Sequence, residues 1–366
     1  MKTYSAIKTT LICLAISVSA NGAMASENKL NIYNWSDYIA PDTIANFDAL
    51  TGIETTYDVF DSNEVLEGKL LGGQTGYDLV VPTASFMEMQ IQAGVFMPLD
   101  KSKLKNYANL DPEIMQLLAK HDPGNKYAIP YLWGTTGIAY NIDKIKQRMP
   151  DAPLDSWDMI FKPEVIAKFA DCGVAIIDAP SENFEIAQNY LGLDPHSGAE
   201  ADMDAAIDLW KSIRPYVRYF HSSQQVDDLA TGEICLAIGW SGDMFQALND
   251  AADAGNGVKI DYYIPKEGST IWFDVFGIPN DAKNIDAAHK FLDYTMDAKI
   301  AAANSNEIWY ANAIPSSMPM ILDEIKNNVS VYPTEKIKAN LFIDKPGDAA
   351  TARARNKAWA RLKAGS

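Results

Sequence analysis

Acidic and aromatic side chains occur together in several short stretches of the sequence. In residues 33–38 the carboxylate of Asp37 stands between the rings of Trp35 and Tyr38. Such a group can hold a small organic cation, because the carboxylate supplies Coulomb attraction and the rings supply cation–π contact and apolar cover. The alternative is an ordinary loop in which the tryptophan packs in the core and the aspartate caps the next helix.

Further stretches repeat this chemistry later in the chain. They are Trp240 with Asp243, Trp272 with Asp274, the pair Trp309 and Tyr310, and Asp178 with Glu182. Any single one could be a core ring beside a solvated acid. Because they fall at the ends of predicted strands or at crossings between domains, we expect them to meet in one cleft that is lined by rings and rimmed by carboxylates.

The first part of the chain alternates strand and helix patterns. Strands and helices are expected in turn at residues 30–33, 41–50, 55–60, 61–71, 78–81 and 85–93. This order predicts an α/β, doubly wound lobe with a parallel sheet. The stretch 33–38 then lies at the carboxyl end of the first strand, where ligands bind in such sheets.

Residues 127–140 are expected to be extended around Gly134 and to cross into a second lobe. Beyond them, strands are expected at 174–177, 234–240, 259–264 and 272–278, and helices dominate after 285. We predict that lobe 1 comprises 26–136 and 258–310, and lobe 2 comprises 137–257 and 311–366. The basic residues of segment 350–363 are expected on the solvated face of a terminal helix, with a partner-binding patch as the alternative.

The N-terminus predicts export. Lys2 and Lys8 precede an apolar run at 11–16, and Ala23-Met24-Ala25 matches a cleavage site, so residues 1–25 are predicted to be a secretory signal peptide. The remaining cysteines, Cys172 and Cys235, most simply form a disulfide in an exported protein; a thiol nucleophile or a metal pair is the alternative.

Composition and motifs exclude several function classes. The full chain has 31 basic and 48 acidic residues, a net charge of −17, which argues against nucleic acid and anionic membranes as partners. The sequence has no Gly-x-Ser-x-Gly elbow and no His-Glu-x-x-His motif, and its four histidines are scattered. We therefore expect no catalytic residue, metal or cofactor; a secreted hydrolase is the alternative from another class.

Six motifs carry a resemblance to a known family. They are Asn34-Trp35-Ser36-Asp37-Tyr38 and the segments 61–64, 77–82, 220–224, 237–243 and 264–268. In these motifs the sequence resembles the periplasmic polyamine-binding proteins of bacterial ABC importers, in order along the whole mature chain. The resemblance implies a two-lobed type II periplasmic solute-binding fold, a monomer, a Cys172–Cys235 disulfide and delivery of the polyamine to an inner-membrane permease.

The resemblance also implies a ligand-binding set. It comprises Trp35, Ser36, Asp37, Tyr38, Thr83, Ser85, Glu182, Trp240, Asp243, Trp272, Asp274 and Tyr310. Asp243 and Asp274 would hold one ammonium or flank the inner part of the chain, and Asp37 would face the other end. Putrescine is favoured, but Trp272 stands where a putrescine binder has phenylalanine and spermidine binders tend to have tryptophan. Spermidine, agmatine and a sensory role therefore stay open.

Overall fold

The computed structural model describes residues 28–345 and 347–365. The predicted signal peptide lies outside the described residues. Within them the chain forms eleven strands. These are β1 Lys29–Trp35, β2 Glu54–Phe60, β3 Leu79–Val80, β4 Ile129–Asn141, β5 Val174–Ile176, β6 Tyr219–Phe220, β7 Leu236–Trp240, β8 Ile260–Tyr263, β9 Thr270–Phe276, β10 Ala311–Asn312 and β11 Phe342–Ile343.

Sixteen α-helices accompany these strands in the described part of the chain. These are α1 Asp42–Thr51, α2 Asn63–Gly72, α3 Ala84–Gln92, α4 Pro112–Leu118, α5 Ile142–Arg148, α6 Asp158–Phe161, α7 Pro163–Ile166, α8 Pro180–Tyr190, α9 Glu200–Ile213, α10 Gln224–Ala230, α11 Ser241–Ala254, α12 Ile285–Thr295, α13 Ala298–Ile308, α14 Asp323–Lys326, α15 Glu335–Lys338 and α16 Ala349–Lys363. None of these described helices combines the length and apolar character that a membrane crossing requires.

Two sheets organise the molecule. The smaller sheet has three parallel strands in the order β2-β1-β3. The larger sheet is mixed, in the order β11-β9-β4-β7-β5-β6, and β8 and β10 also pair with β4. Antiparallel bridges from Val80 of β3 to Gly277 and from Thr83 to Asp274 connect β3 and the segment after it to the β9 region. The predicted α/β fold of two lobes is confirmed.

The long strand β4 crosses between the lobes. Its residues 129–135 pair with β9, whereas residues 136–140 pair with β7. The first half contributes side chains to one hydrophobic core and the second half to another. The change of core occurs near Gly134.

Alternation along the second-lobe strands builds a core on each face of their sheet. Leu236 and Ile238 of β7 pack in one cluster, whereas Ala237 between them packs in the other. This is the two-residue period of a strand that is buried on both faces. We use lobe 1 for the part around the β1–β3 core and lobe 2 for the part around these two cores; the predicted chain boundaries of the lobes stay a prediction.

A disulfide connects two strands of lobe 2. Cys172 and Cys235 form the predicted bond, just before β5 and β7.

The terminal helix α16 packs against lobe 2 through a buried ion pair. The prediction of a solvated basic face on α16 is wrong for Arg355, which is fully buried and pairs with the buried Glu185. A guanidinium can be buried there because carboxylate, amide and carbonyl oxygens accept its hydrogen bonds.

Candidate functional site

A cavity lies where the strand ends of lobe 1 face α8, α10 and α11 of lobe 2. The space between its walls amounts to about 550 Å³ when the open solvent at its mouth is counted. It is lined by Trp35, Ser36, Asp37, Tyr38, Phe60, Asp61, Thr83, Glu182, Ser222, Ser223, Val226, Trp240, Asp243, Gln246, Trp272, Asp274 and Tyr310. Among these described lining residues, five are carboxylic acids and none is a lysine or an arginine.

The loop after β1 delivers the first ring and the first carboxylate. Trp35 donates its indole N–H to the carbonyl of Val81 at 2.8 Å, which fixes the ring against the end of β3. Asp37 follows with φ of +51°, a left-handed conformation that non-glycine residues seldom adopt. This turn leaves Asp37 exposed at the mouth of the cavity while Trp35 and Tyr38 are buried.

Asp274 is held on the floor of the cavity by lobe 1. It lies on β9 opposite Thr83, whose hydroxyl donates to its Oδ1 at 2.7 Å. The Thr83 oxygen in turn accepts from the amide of Asn63 at 2.9 Å, so its single proton is directed to Asp274. Asp274 is only 3% exposed, and this burial raises the pKa of its carboxyl to about 7, although the Thr83 hydrogen bond opposes the shift.

Asp243 approaches the same floor from the first turn of α11. Tyr310 donates its hydroxyl to Asp243 Oδ1 at 2.6 Å. A Cβ on Gly242 would stand 2.3 Å from the Tyr310 ring, so glycine is required at the preceding position. Burial raises the pKa of Asp243 to about 7, the Tyr310 hydrogen bond opposes this, and the charges of Asp37 and Asp274 add to it.

Glu182, in the first turn of α8, is a buried carboxyl like Asp274. The indole of Trp240 donates to its two oxygens at 3.1 and 3.3 Å, and the hydroxyl of Thr136 on β4 also donates to it. Burial raises the pKa of Glu182 to about 8, and the nearby charge of Asp344 acts in the same direction. Glu182 therefore reaches the cavity from lobe 2, and its donors come from the crossing strand β4 and from Trp240.

Aromatic rings form the walls between these carboxyls. Trp35 of lobe 1 meets Trp240 of lobe 2 edge to face, with ring centroids 5.4 Å apart. Tyr310 contacts Tyr38 at 5.0 Å and Trp272 at 5.5 Å. These faces offer apolar cover and quadrupole attraction for a cation.

The structure brings together eleven of the twelve residues that the resemblance implied. Ser85 is the exception, because it is buried behind the cavity and donates to Asp344 at 3.2 Å. Their roles toward a ligand stay a prediction.

Six lining residues were not assigned from the sequence. They are Phe60, Asp61, Ser222, Ser223, Val226 and Gln246. Asp61, Ser222 and Ser223 lie inside motifs that carried the resemblance, which was the available signal; nothing local marked Phe60, Val226 or Gln246.

The arrangement is suited to an elongated organic cation. Buried carboxyls with raised pKa values lack a positive partner in the described cavity, and a cation would supply the charge that stabilises their ionised forms. The rings between them suit an apolar chain. Within the described residues, no group of three or more histidine, cysteine or acidic side chains is arranged to hold a metal ion.

Comparisons with known proteins agree with this chemistry. The sequence model of the family described as "Bacterial extracellular solute-binding protein" matches residues 42–333. The chain is 53% identical to the putrescine-binding periplasmic protein PotF of Escherichia coli K12 over 97% of both chains. It is 47% identical to the putrescine-binding periplasmic protein SpuD of Pseudomonas aeruginosa, over 97% of this chain and 98% of that protein.

A solved structure extends the likeness to the fold. The spermidine/putrescine ABC transporter substrate-binding protein PotD of Streptococcus pneumoniae is 27% identical, with a TM-score of 0.73. The alignment covers 92% of this chain and 99% of that one.

Proposed function

The chain belongs to the bacterial extracellular solute-binding proteins, and we propose that it is a periplasmic receptor that captures a polyamine, with putrescine favoured, between its lobes. The observation that carries this proposal is a set of three carboxyls, the buried Asp274 and Glu182 and the partly buried Asp243, around one aromatic-walled cavity. A neutral sugar would not require these acids. An amino acid would require a cation for its carboxylate, and no described lining residue supplies one.

Burial of the apolar part of putrescine is too small a free energy to explain binding, so the ammonium groups must contribute. Putrescine has four methylenes between two ammonium groups, and burying them contributes roughly 3 kcal/mol at about 0.8 kcal/mol each. Micromolar binding needs about 8 kcal/mol. The remainder must come from charge pairing, cation–π contact and hydrogen bonds, less the costs of desolvation and ordering.

We assign one ammonium to Asp243 and Asp274 and the other end of the ligand to Asp37, with Glu182 acting directly or through water. Trp35, Trp240, Trp272 and Tyr310 would then enclose the methylenes. A shorter diamine would leave one buried carboxyl unpaired, so the spacing of the acids would select chain length.

Spermidine is the second candidate, and a neighbouring cavity supports it. A space beyond Trp35, Glu182 and Trp240, about 240 Å³ when open solvent is counted, is lined by Glu64 and Asp344, among others. Asp344 is 2% exposed; Ser85 donates to its Oδ2 at 3.2 Å, and the carboxyl of Glu185 lies beside it. A third ammonium could pair with the Asp344 carboxyl.

Contacts from both lobes explain how capture would close the protein. A ligand held by Asp274 of lobe 1 and Glu182 of lobe 2 stabilises the closed form over the open form, and that difference drives closure. The closed, loaded monomer would then deliver its polyamine to the permease of an ABC transporter. Relatives that are putrescine-binding periplasmic proteins support this role.

Isothermal titration calorimetry at pH 8 with putrescine, spermidine and agmatine tests the proposal. We expect putrescine to bind with micromolar or tighter affinity, and a variant of the exposed Asp204 on α9, Asp204→Asn, to bind it equally well. Absence of heat with all three amines, together with binding of another solute, would contradict the proposal. Tighter binding of spermidine would replace the preferred ligand within the same class.

A further inference from the structure

A cluster of polar side chains joins the two lobes at the mouth of the cavity. Asp61, directly after β2 in lobe 1, accepts two hydrogen bonds on the same oxygen, Oδ1. The hydroxyl of Ser36 in lobe 1 donates to it at 2.8 Å. The hydroxyl of Ser223, which precedes α10 in lobe 2, donates to it at 2.9 Å. Asp61 is thus bonded within its own lobe and across the cleft.

Each side of this contact is also held by hydrogen bonds within its own lobe. In lobe 1, the backbone N–H of Ser36 donates to the carbonyl of Phe60 at 3.1 Å, which ties the loop after β1 to the end of β2. In lobe 2, Nδ1 of His221 accepts from the backbone N–H groups of Ser223 and Gln224 at 3.1 and 3.0 Å. Little conformational freedom is lost when two such preorganised groups form a bond.

The bond between Asp61 and Ser223 joins segments 162 residues apart. A carboxylate–hydroxyl hydrogen bond is stronger than one between neutral groups. Because Asp61 is exposed, water competes for it, so the gain is moderate. An interaction that forms only in the closed form adds its whole free energy to the closing equilibrium.

We propose that Asp61 and Ser223 form a latch that holds the lobes closed and slows release of the bound solute. This inference rests on the proposed function for the identity of the solute, though not for the contact itself. Ser223 acts on the ligand only through Asp61, as a positioning residue, whereas Asp61 also adds negative charge at the mouth. Because the bond between them exists only in the closed form, it changes the dissociation rate of the ligand more than the association rate.

A double-mutant cycle followed by stopped-flow fluorescence tests the latch. Trp35 and Trp240 meet across the cleft, so tryptophan emission reports opening when bound putrescine is displaced. We expect Ser223→Ala to accelerate dissociation about threefold to tenfold with an unchanged association rate. In the Asp61→Ala background, Ser223→Ala should have no further effect, because its partner is gone.

Ser212→Ala, on the exposed side of α9, is the matched serine control and should leave both rates unchanged. Equal acceleration by Ser223→Ala in both backgrounds, or none in either, would overturn the latch. Melting temperatures within the error of wild type would exclude unfolding as the cause.

A second measurement separates this inference from the identity of the solute. Spin labels on the two lobes give the closed fraction of the unliganded protein by pulsed electron paramagnetic resonance. Ser223→Ala should lower the closed-to-open ratio by the same threefold to tenfold. If wild type binds no polyamine, the proposed function fails while this ratio still decides the latch; an unchanged ratio refutes the latch even where putrescine binds.

Discussion

Carboxylates at the floor of the cavity and carboxylates at its mouth have the same chemistry but opposite surroundings. On the floor, Asp274 is nearly inaccessible and is bonded by Thr83, and Asp243 is bonded by Tyr310. At the mouth, Asp37 and Asp61 are exposed to water. Burial raises the pKa of each floor carboxyl to about 7. The pKa of Asp37 is also raised by partial burial and by the charges of Asp227 and Asp61.

The difference teaches how one residue type can serve two purposes. A buried carboxylate has already lost its water when the cavity is closed, so a cation that pairs with it recovers a large free energy. An exposed carboxylate keeps its water, so pairing there contributes little, but its field extends into solvent. We therefore expect the floor to determine affinity and the mouth to determine rates.

The largest effect should come from removing charge at the floor. Asp274→Asn keeps an oxygen that can accept from Thr83 but leaves the ligand ammonium without its buried counter-charge. We expect putrescine affinity at pH 8 to fall about a hundredfold, or about 2.8 kcal/mol. Calorimetry measures this, with Asp204→Asn as control. Unchanged affinity in both Asp274→Asn and Asp243→Asn would remove these residues from the site.

Proton competition at the floor should give the next largest effect. In the empty site the pKa values lie near 7 at Asp243 and Asp274 and near 8 at Glu182, so these carboxyls are largely protonated at pH 6. A bound cation favours their ionised forms, so binding must displace these protons. Between pH 8 and pH 6 we expect affinity to fall at least tenfold, about one factor of ten for each carboxyl that must lose a proton. Calorimetry in buffers of different ionisation enthalpy should detect proton release near neutral pH. An affinity independent of pH over this range would contradict the buried floor.

The same carboxyls predict how stability changes with pH. The folded, unliganded chain binds their protons more tightly than the unfolded chain, because burial raises the pKa values of Asp243 and Asp274 from 3.8 to about 7. Their contribution to stability is full below about pH 4 and is lost as the pH rises through about 7. The melting temperature gained on adding putrescine should therefore be larger at pH 8 than at pH 5.5. Equal gains at the two pH values would argue against this linkage.

A smaller effect is expected at the mouth. Asp37→Asn should slow putrescine association about threefold at low salt, and the difference should shrink as salt screens the exposed charge. Stopped-flow association rates at 20 and 300 mM salt measure this, and Asp204→Asn again serves as the matched charge control. If Asp37→Asn instead weakened binding as much as Asp274→Asn, at both salt concentrations, the contrast between floor and mouth would be lost.

The sequence predicted which residues gather at the cavity better than it predicted which of those residues form hydrogen bonds with each other. The alternation of strand and helix placed Trp35, Asp37 and Asp243 at strand ends or next to them, and these residues line one cavity together with Asp274 of β9. The expectation was wrong for Trp309 and Asp178, which do not line that cavity. Local pattern cannot show which hydroxyl meets which carboxyl when the partners come from distant segments. Ser85 is bonded to Asp344, 259 residues later, rather than lining the cavity.

Two further features depended on such distant partners. Arg355 is one of several basic residues in α16, and it is buried because Glu185, Gln188 and the carbonyl of Pro195 accept its hydrogen bonds. The other basic residues of this helix are exposed or partly buried. The bond from Ser223 to Asp61 likewise has no counterpart in local spacing. Charge and periodicity indicate where residues cluster, whereas pairing within a cluster is a property of the assembled lobes.

The smallest change in putrescine affinity should come from Trp272, an aromatic residue that lines the cavity beside the floor carboxyls. This residue precedes Asp274 by two positions on β9, so both side chains face the same side of the strand. Phenylalanine would remove the indole N–H, a buried group without a hydrogen-bond partner, and would shorten the ring that contacts Tyr310. Putrescine affinity in Trp272→Phe should change by less than about threefold, because one lost cation–π or van der Waals contact contributes about 0.5 kcal/mol. Spermidine affinity should fall more, since a longer chain uses more of the ring. Calorimetry with both amines measures the ratio, and a larger loss for putrescine than for spermidine would mean that the ring, and not the acids, selects the ligand.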